Sequence, residues 1–299
     1  MNDGSISILA EIGRQLDRNI FPIVKNSGIV SPSDSSVFPN QLGKEKHHAR
    51  KTQARSTTES WQGHIGGQRA PGRTWAFTGA RTTGQTSSLI DPVYSAIYPD
   101  PLASVASAYP GARVWMQEGG FWMYSESTLL SDLGRAAGFL TCVATDRGFV
   151  KSWAFYISIV GVTWIGPRHT NFPDGSICAF EPKDGTWMFG DPLVELLDLY
   201  TVWALRHVYY DVFGSWPGPQ AVALPYERIL ELKEEEHCGC GASNLRYVDC
   251  CKVSDSNLNQ IAEAIKFGIF SRWAIRRPPA SVLQFMLYRK TLPRIEEFI

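Results

Sequence analysis

The chain lacks the features of a membrane or exported protein. No stretch reaches the roughly 18 uninterrupted apolar residues of a membrane span. The start of the chain carries acidic side chains where a signal peptide has an apolar run and a small-residue cleavage site. Net charge is also absent, because 29 basic and 29 acidic residues cancel. These absences predict a soluble, cytosolic protein without a membrane partner.

What the chain does contain is enough apolar material for a folded core. Its 299 residues are 44% hydrophobic and include 10 Trp. The amino-terminal part differs, because residues 1–90 hold 11 Lys and Arg against 6 Asp and Glu. A short amphipathic helix is predicted at Ile6–Ile20, and residues 31–73 after it are rich in Ser, Gly, Gln and basic side chains.

Such a polar segment buries too little apolar surface to offset the entropy lost on ordering. We therefore expect residues 1–90 to be largely disordered. Two roles stay open for them: a solvated tail, or a basic arm that contacts nucleic acid or an acidic partner. Of the functions considered for this chain, nucleic-acid binding is the least favoured.

From about residue 95 the pattern predicts alternating helices and strands. Long apolar and β-branched runs favour strands, and apolar residues at helical spacing favour a long helix after Pro192. A hairpin is predicted around Glu118–Gly120. The predicted elements are a short helix at 100–109, a hairpin at 111–127, a helix at Thr128–Ala137, strand runs at 138–145 and 152–165, a long helix at 192–214, a polar helix at 225–236 and apolar helices after Asn257.

The run from Arg168 to Cys178 places one Cys a short turn after His169 and Asn171. A thiolate is the reactive form of Cys, and a side-chain amide can hydrogen-bond the oxyanion that forms when a thioester is attacked. Cys178 is thus the candidate nucleophile and Asn171 the candidate oxyanion donor. The alternatives are a buried, inert Cys178 and an Asn171 that bonds its own turn. His169 is the third candidate and is expected to hold the loop rather than act as a base.

This run resembles the active-site segment of ubiquitin-conjugating enzymes, in which a His-Pro-Asn triplet precedes a loop ending in Asp-Gly-Ser/Thr-Ile/Val-Cys and a later Trp. The matching positions are His169, Asn171, Asp174, Gly175, Ser176, Ile177, Cys178 and Trp187. Thr170 stands where the family has Pro, and Cys178 lies one residue nearer to His169 than is usual there. The divergent bacterial members, found in antiphage-defence operons, are the more similar ones.

The resemblance implies an α+β, ubiquitin-conjugating-like fold over residues 95–218: helix, antiparallel sheet, Cys-bearing loop, then helices. It implies that Cys178 forms a thioester with the C-terminus of a protein partner and passes the acyl group to an amine, in bacterial antiphage defence. That partner would be a ubiquitin-like protein or the C-terminus of a nucleotidyltransferase. No Gly-rich dinucleotide-type loop follows a strand, which leaves two alternatives: a separate enzyme supplies adenylation, or the chain accepts an already activated acyl group.

Four of the six cysteines fall close together, with the spacing C-x-C-x9-C-C. They are Cys238, Cys240, Cys250 and Cys251, and in a cytosolic chain such a cluster indicates metal ligands rather than disulfides. Tetrahedral zinc takes four thiolate or imidazole ligands. The segment resembles the SEC-C motif, a small zinc-binding module, and so predicts a structural zinc within a linker helix and knuckle at 219–256. Residues 257–299 then form a helical carboxy-terminal tail.

A rival hypothesis makes the chain a catalytically inactive interaction module. In that case the conjugating-like fold and the zinc knuckle are both binding surfaces. The nucleic-acid-binding hypothesis, which rests on the basic amino-terminal segment, is a third class.

Overall fold

The computed structural model describes residues 1–33, 97–180 and 185–298, and within them the chain is α+β. The strands are β1 (Ile23–Lys25), β2 (Ile29–Ser31), β3 (Arg113–Gln117), β4 (Gly120–Ser127), β5 (Ala136–Ala144), β6 (Phe149–Ser158) and β7 (Gly161–Trp164). The α-helices are α1 (Asp3–Asp17), α2 (Pro101–Ala106), α3 (Leu193–Phe213), α4 (Pro225–Glu231), α5 (Lys252–Ser256), α6 (Gln260–Phe270) and α7 (Ala280–Tyr288). Among these residues, no helix has the length and apolar character to cross a membrane.

The centre of the fold is a five-stranded antiparallel sheet in the order β3-β4-β5-β6-β7. The predicted hairpin is confirmed, since β3 and β4 pair with Gln117 opposite Gly120. Gly120 has φ 159°, and a Cβ there would lie 2.0 Å from the Val143 carbonyl oxygen of β5, so only glycine fits. The α+β class is confirmed, while the closer likeness to the ubiquitin-conjugating fold stays a prediction.

The predicted helix at Thr128–Ala137 is wrong. Instead the chain pairs with the segment near β2: the Leu129 N–H donates to the Gly28 carbonyl at 3.0 Å, and the Val30 N–H donates to the Leu129 carbonyl at 2.8 Å. Leu129 has φ 64°, outside the helical region. Ala136 already belongs to β5. Long-range backbone pairing therefore outweighs local helix propensity here.

One face of the sheet packs against α3, the long helix predicted from its apolar pattern. Inward-facing strand residues such as Phe121, Met123 and Phe139 meet Leu196 and Leu197 of α3 in one buried cluster. The helix ends at Gly214, whose φ of 73° is the left-handed conformation that favours glycine at a helix end. Burial of this apolar surface is the main source of stability.

The amino-terminal residues belong to this same core. This differs from the prediction that residues 1–90 are largely disordered. The Asn2 side chain caps α1 by accepting from the Ser5 N–H at 2.8 Å, so the helix begins three residues before the predicted Ile6. Leu9, Ile12 and Leu16 of α1 are buried beside Val30 of β2. Residues 1–33 therefore fold, and the polar stretch that was predicted to be disordered lies outside the described residues from 34 onward.

The opposite face of the sheet is covered by the carboxy-terminal tail, which the sequence predicted to be helical and apolar. Val282 of α7 and Ile295 are both fully buried against this face. The Phe298 ring stands edge-on to Trp122 at 5.3 Å between centroids. Because both faces are covered, alternate residues of β4, β5 and β6 point into two separate cores.

The tail should therefore contribute strongly to stability. Ile295→Ala removes fully buried methyl groups and should lower the free energy of unfolding by about 3 kcal/mol. Ile269→Ala is the matched control, because Ile269 is 66% exposed on α6 and should change stability by less than about 0.5 kcal/mol. Urea denaturation measures both, and equal costs for the two variants would contradict the docking of the tail.

Candidate functional site

The segment of residues 165–180, here called the thiol loop, folds back on itself after β7. The Cys178 N–H donates to the His169 carbonyl at 3.0 Å, and Thr170 pairs with Ile177 as an antiparallel bridge. The Ile177 N–H donates to the Ser152 carbonyl of β6 at 2.7 Å. The turn thus brings His169 and Cys178 side by side and ties both to the sheet.

Asp174 fixes the tip of the thiol loop. Its Oδ1 accepts from the Ser176 N–H at 3.0 Å and from the Ser176 hydroxyl at 2.7 Å. Its Oδ2 lies 2.8 Å from Lys151 Nζ, and its carbonyl accepts from the Trp153 indole at 2.8 Å. Gly175, at φ 62°, lies so close to Arg277 that a Cβ would be 2.7 Å from its carbonyl carbon. The tip is therefore clamped between β6 and the carboxy-terminal segment.

Asn171 bonds its own loop. Its side-chain Nδ2 donates to the Ser176 hydroxyl at 3.2 Å and to the Ile177 carbonyl at 3.1 Å. The residue is exposed and does not line the cleft that contains Cys178. This arrangement favours the alternative in which Asn171 stabilises the turn. Rotating its amide toward an oxyanion would break both bonds.

Cys178 opens into a cleft of about 260 Å³, here called the thiol cleft. The Cys178 side chain is partly exposed, unlike the fully buried Cys142. Most of the wall is apolar or aromatic, and α3 supplies one side of it. The described lining residues are Asn19, Phe21, His169, Cys178, Ala179, Phe180, Thr186, Leu199, Val202, Trp203, Arg206, Trp216, Pro219, Gln220 and Ala221.

His169 holds the loop within this cleft. Its Nε2 lies 2.9 Å from Gln220 Oε1, its ring packs on Trp216 with centroids 4.1 Å apart, and its carbonyl accepts from the Trp203 indole at 2.9 Å. Since Gln220 Nε2 donates to the His237 carbonyl at 2.7 Å, Oε1 is the acceptor, and His169 Nε2 must carry the proton. Burial, and then the Arg168 charge, hold the pKa of His169 well below its ordinary value, so the ring is neutral at neutral pH.

A buried ion pair connects the thiol loop to the cysteine-rich segment. Glu236, 1% exposed, accepts from Arg168 Nη1 at 2.9 Å and from the Trp216 N–H at 2.7 Å. Arg168 also donates to Gln220 Oε1 at 3.0 Å. Sequence reasoning missed Glu236, Gln220 and Trp216, because each acts through a contact far along the chain. No local pattern separates Glu236 from the acidic residues before it.

The four predicted cysteines come together as a Cys cluster, whose sulfur atoms all lie within 4.8 Å of one another. The Cys240–Cys250 and Cys250–Cys251 sulfurs are each 3.7 Å apart. A tetrahedral ion with metal–sulfur bonds of about 2.3 Å requires sulfur separations of about 3.8 Å. The cluster could therefore hold a metal ion, and its donor set is compatible with zinc.

The backbone around the Cys cluster supports such a role. The Ala242 N–H donates to Cys240 Sγ at 3.4 Å, and this bond lowers the pKa of the Cys240 thiol to about 7. His237 adjoins the cluster in sequence, but its ring Nδ1 lies 3.1 Å from the Asn244 carbonyl and it is outside the group of close sulfurs. Arg228 joins α4 to α5 through a bidentate pair with Asp255 at 2.7 and 2.8 Å.

Three further residues of reactive or aromatic type occupy core positions. Cys142 is fully buried in the sheet, where burial raises the pKa of its thiol to about 12. Trp187 is 2% exposed and lies edge-on to Phe180 at 5.6 Å. His207 is a core histidine, packed between Trp203 and Trp216.

Comparisons of the chain with protein-family models, with curated proteins and with solved structures give no match. The site therefore has to be interpreted from its own geometry and from the sequence motifs.

The buried His207 should make stability depend on pH. Burial lowers its pKa from 6.5 to about 3, so unfolding takes up a proton between these values. The contribution of the neutral His207 ring to the free energy of unfolding is complete above about pH 6.5 and decreases as the pH falls. Through His207 alone, going from pH 7 to 5 should cost about 2 kcal/mol. Urea unfolding of His207→Asn should show a correspondingly smaller drop between these pH values, and an identical drop in both proteins would refute the assignment.

Proposed function

We propose that the chain is an acyl carrier similar to ubiquitin-conjugating enzymes, with Cys178 as the thiol that carries the acyl group. The observation that supports this most is the position of Cys178: partly exposed, at the edge of a cleft, on a loop whose backbone is bonded to His169 and to β6. An inert structural cysteine has the opposite environment, as Cys142 does. The resemblance alone connects this chemistry with antiphage defence.

The proposed reaction has two steps. The Cys178 thiolate attacks the carbonyl carbon of an activated C-terminus on a protein donor, and the donor's leaving group departs with the electron pair of the broken bond. An amine, such as that of a lysine, then attacks the new thioester. The C–N bond forms, the Cys178 thiolate is released, and the proton of the amine passes to solvent. Adenylation of the donor belongs to a separate protein.

The surrounding residues position the thiol and limit water. His169, neutral and bonded to Gln220, holds the backbone to which the Cys178 N–H is bonded. The walls formed by Trp203, Trp216 and Phe180 are apolar, which protects a thioester from hydrolysis and favours transfer to an amine. Asn171 keeps the turn closed.

The Cys cluster is proposed to bind one zinc ion in a structural role. Four thiolate ligands complete the tetrahedral coordination and leave no open position for a substrate. Cys238, Cys240, Cys250 and Cys251 would hold the ion. Because Glu236 lies two residues before Cys238 and bonds Arg168, the metal would also support the thiol loop.

The rival hypothesis of an interaction module gains support from one surface. Ile261, Ile265 and Ile269 follow each other at helical spacing on α6 and are 74%, 48% and 66% exposed. An apolar stripe of this kind is typical of a protein-binding surface. Accessibility of the thiol separates the two hypotheses, since a binding module needs no reactive cysteine.

If Cys178 carries acyl groups, it must be reachable in the folded protein. We expect iodoacetamide to alkylate Cys178 at least about tenfold faster than Cys142, whose thiol is buried and has a raised pKa. Peptide mass mapping of the native protein gives both rates, and labelling in urea, where both thiols are accessible, is the control. Equal, slow labelling of the two cysteines in the native state would exclude the carrier role.

Protein purified under reducing conditions should contain one zinc ion per chain. Cys240→Ser should lose most of it and Cys142→Ser, the matched control outside the cluster, should keep it. Removing the metal should raise hydrogen exchange at residues 236–256 and leave β4 to β6 protected, because no cysteine of the cluster belongs to either core of the sheet. Elemental analysis that finds no metal would rule out the zinc site.

A further inference from the structure

Arg206 of α3 is the one charged residue among the described residues that line the thiol cleft. Within the described residues, its guanidinium makes a single hydrogen bond, from Nη1 to the Pro219 carbonyl at 3.3 Å. The Nε atom is shielded from solvent and has no partner in the described part of the chain. The Phe21 ring lies 6.0 Å from its Cζ. A guanidinium has five N–H donors, so the described residues satisfy only a small part of its donor capacity.

The buried arginines of the described residues all have carboxylate partners, whereas Arg206 is only partly buried in the wall of the cleft. Arg168 pairs with Glu236, Arg228 with Asp255, and Arg276 with Glu227. Arg206 has no such partner within 4.0 Å in the described ranges. The contrast shows that this chain usually satisfies a buried arginine with a carboxylate of its own.

Asp17, the described acidic residue that acts on Arg206, does not form an ion pair with it. Asp17 acts on it only at a distance, and its Oδ1 accepts from the Gly218 N–H at 2.8 Å and lies 3.6 Å from Arg246. Burial lowers the pKa of Arg206 to about 10, which still leaves the side chain charged at neutral pH. The other described polar residues that line the cleft beside Cys178 are uncharged: Asn19, His169, Thr186 and Gln220.

We infer that Arg206 binds an oxyanion, a carboxylate or a phosphate, on the molecule that reacts with Cys178. A partly buried cation that has no counter-ion among the described residues can pair with an incoming anion in the mostly apolar cleft. The planar guanidinium fork matches either group. An acidic residue of a donor's tail would supply the carboxylate, and an acyl-phosphate type of leaving group would supply the phosphate. This inference rests on the proposed carrier role of Cys178. It adds that the molecule reacting with Cys178 carries a negatively charged group.

Two alkylating reagents of nearly the same size test the inference, because iodoacetate is anionic and iodoacetamide is neutral. The measured quantity is the iodoacetate-to-iodoacetamide rate ratio at Cys178, divided by the same ratio for a small thiol. It should fall about tenfold in Arg206→Gln and stay near the native value in Arg206→Lys, which keeps the charge. An equal ratio in all three proteins, with fast neutral labelling, overturns the inference and leaves the carrier role intact.

Slow iodoacetamide labelling of Cys178 in the native protein would contradict the carrier role itself. The inference about Arg206 would then be wrong as well.

A second measurement uses the native protein alone, so it does not depend on whether the Arg206 variants fold. Acetate or inorganic phosphate should slow the reaction of Cys178 with iodoacetate beyond the effect of chloride at equal ionic strength. Stronger protection by acetate indicates a carboxylate ligand, and stronger protection by phosphate a phosphate ligand. Protection by neither anion contradicts the inference.

Discussion

The buried carboxylate of Glu236 is the point on which the candidate site depends. It accepts hydrogen bonds from Arg168, one residue before His169, and from the backbone of Trp216, which packs on the His169 ring. It also immediately precedes the cysteine-rich segment. Breaking such a pair leaves a buried charge without a partner, a change that typically costs about 3–5 kcal/mol. The thiol loop, the connection after α3 and the Cys cluster are therefore held as one unit.

The sheet supplies the rigid platform beneath this unit. Its two faces bury separate cores, and the loop that carries Cys178 is bonded directly to β6 through Ser152 and Asp174. Helix α3 contributes to both the core and the thiol cleft. Leu196 and Leu197 fill the core, while Val202 and Arg206 face the cleft. A shift of α3 would thus change stability and cleft shape together.

Local sequence patterns predicted a large part of this structure. The β3–β4 hairpin, the long α3 and the four clustered cysteines follow from alternation, helical spacing and ligand spacing, which are properties of neighbouring residues. The helix predicted at Thr128–Ala137 does not form, because Leu129 pairs with a segment a hundred positions away. Glu236, Gln220 and Arg206 could not be found for the same reason: their roles come from contacts that only the folded chain creates.

The carrier role of Cys178 is tested most directly by trapping its acyl adduct. Protein recovered from cells that contain its natural partners would be analysed by intact mass spectrometry, as native chain, Cys178→Ser and Cys178→Ala. We expect a thioester adduct on the native chain that excess free thiol cleaves by exchange, an oxyester on Cys178→Ser that resists free thiol, and no adduct on Cys178→Ala. An adduct that persists unchanged in Cys178→Ala, or the absence of one from both other proteins, would contradict the carrier role.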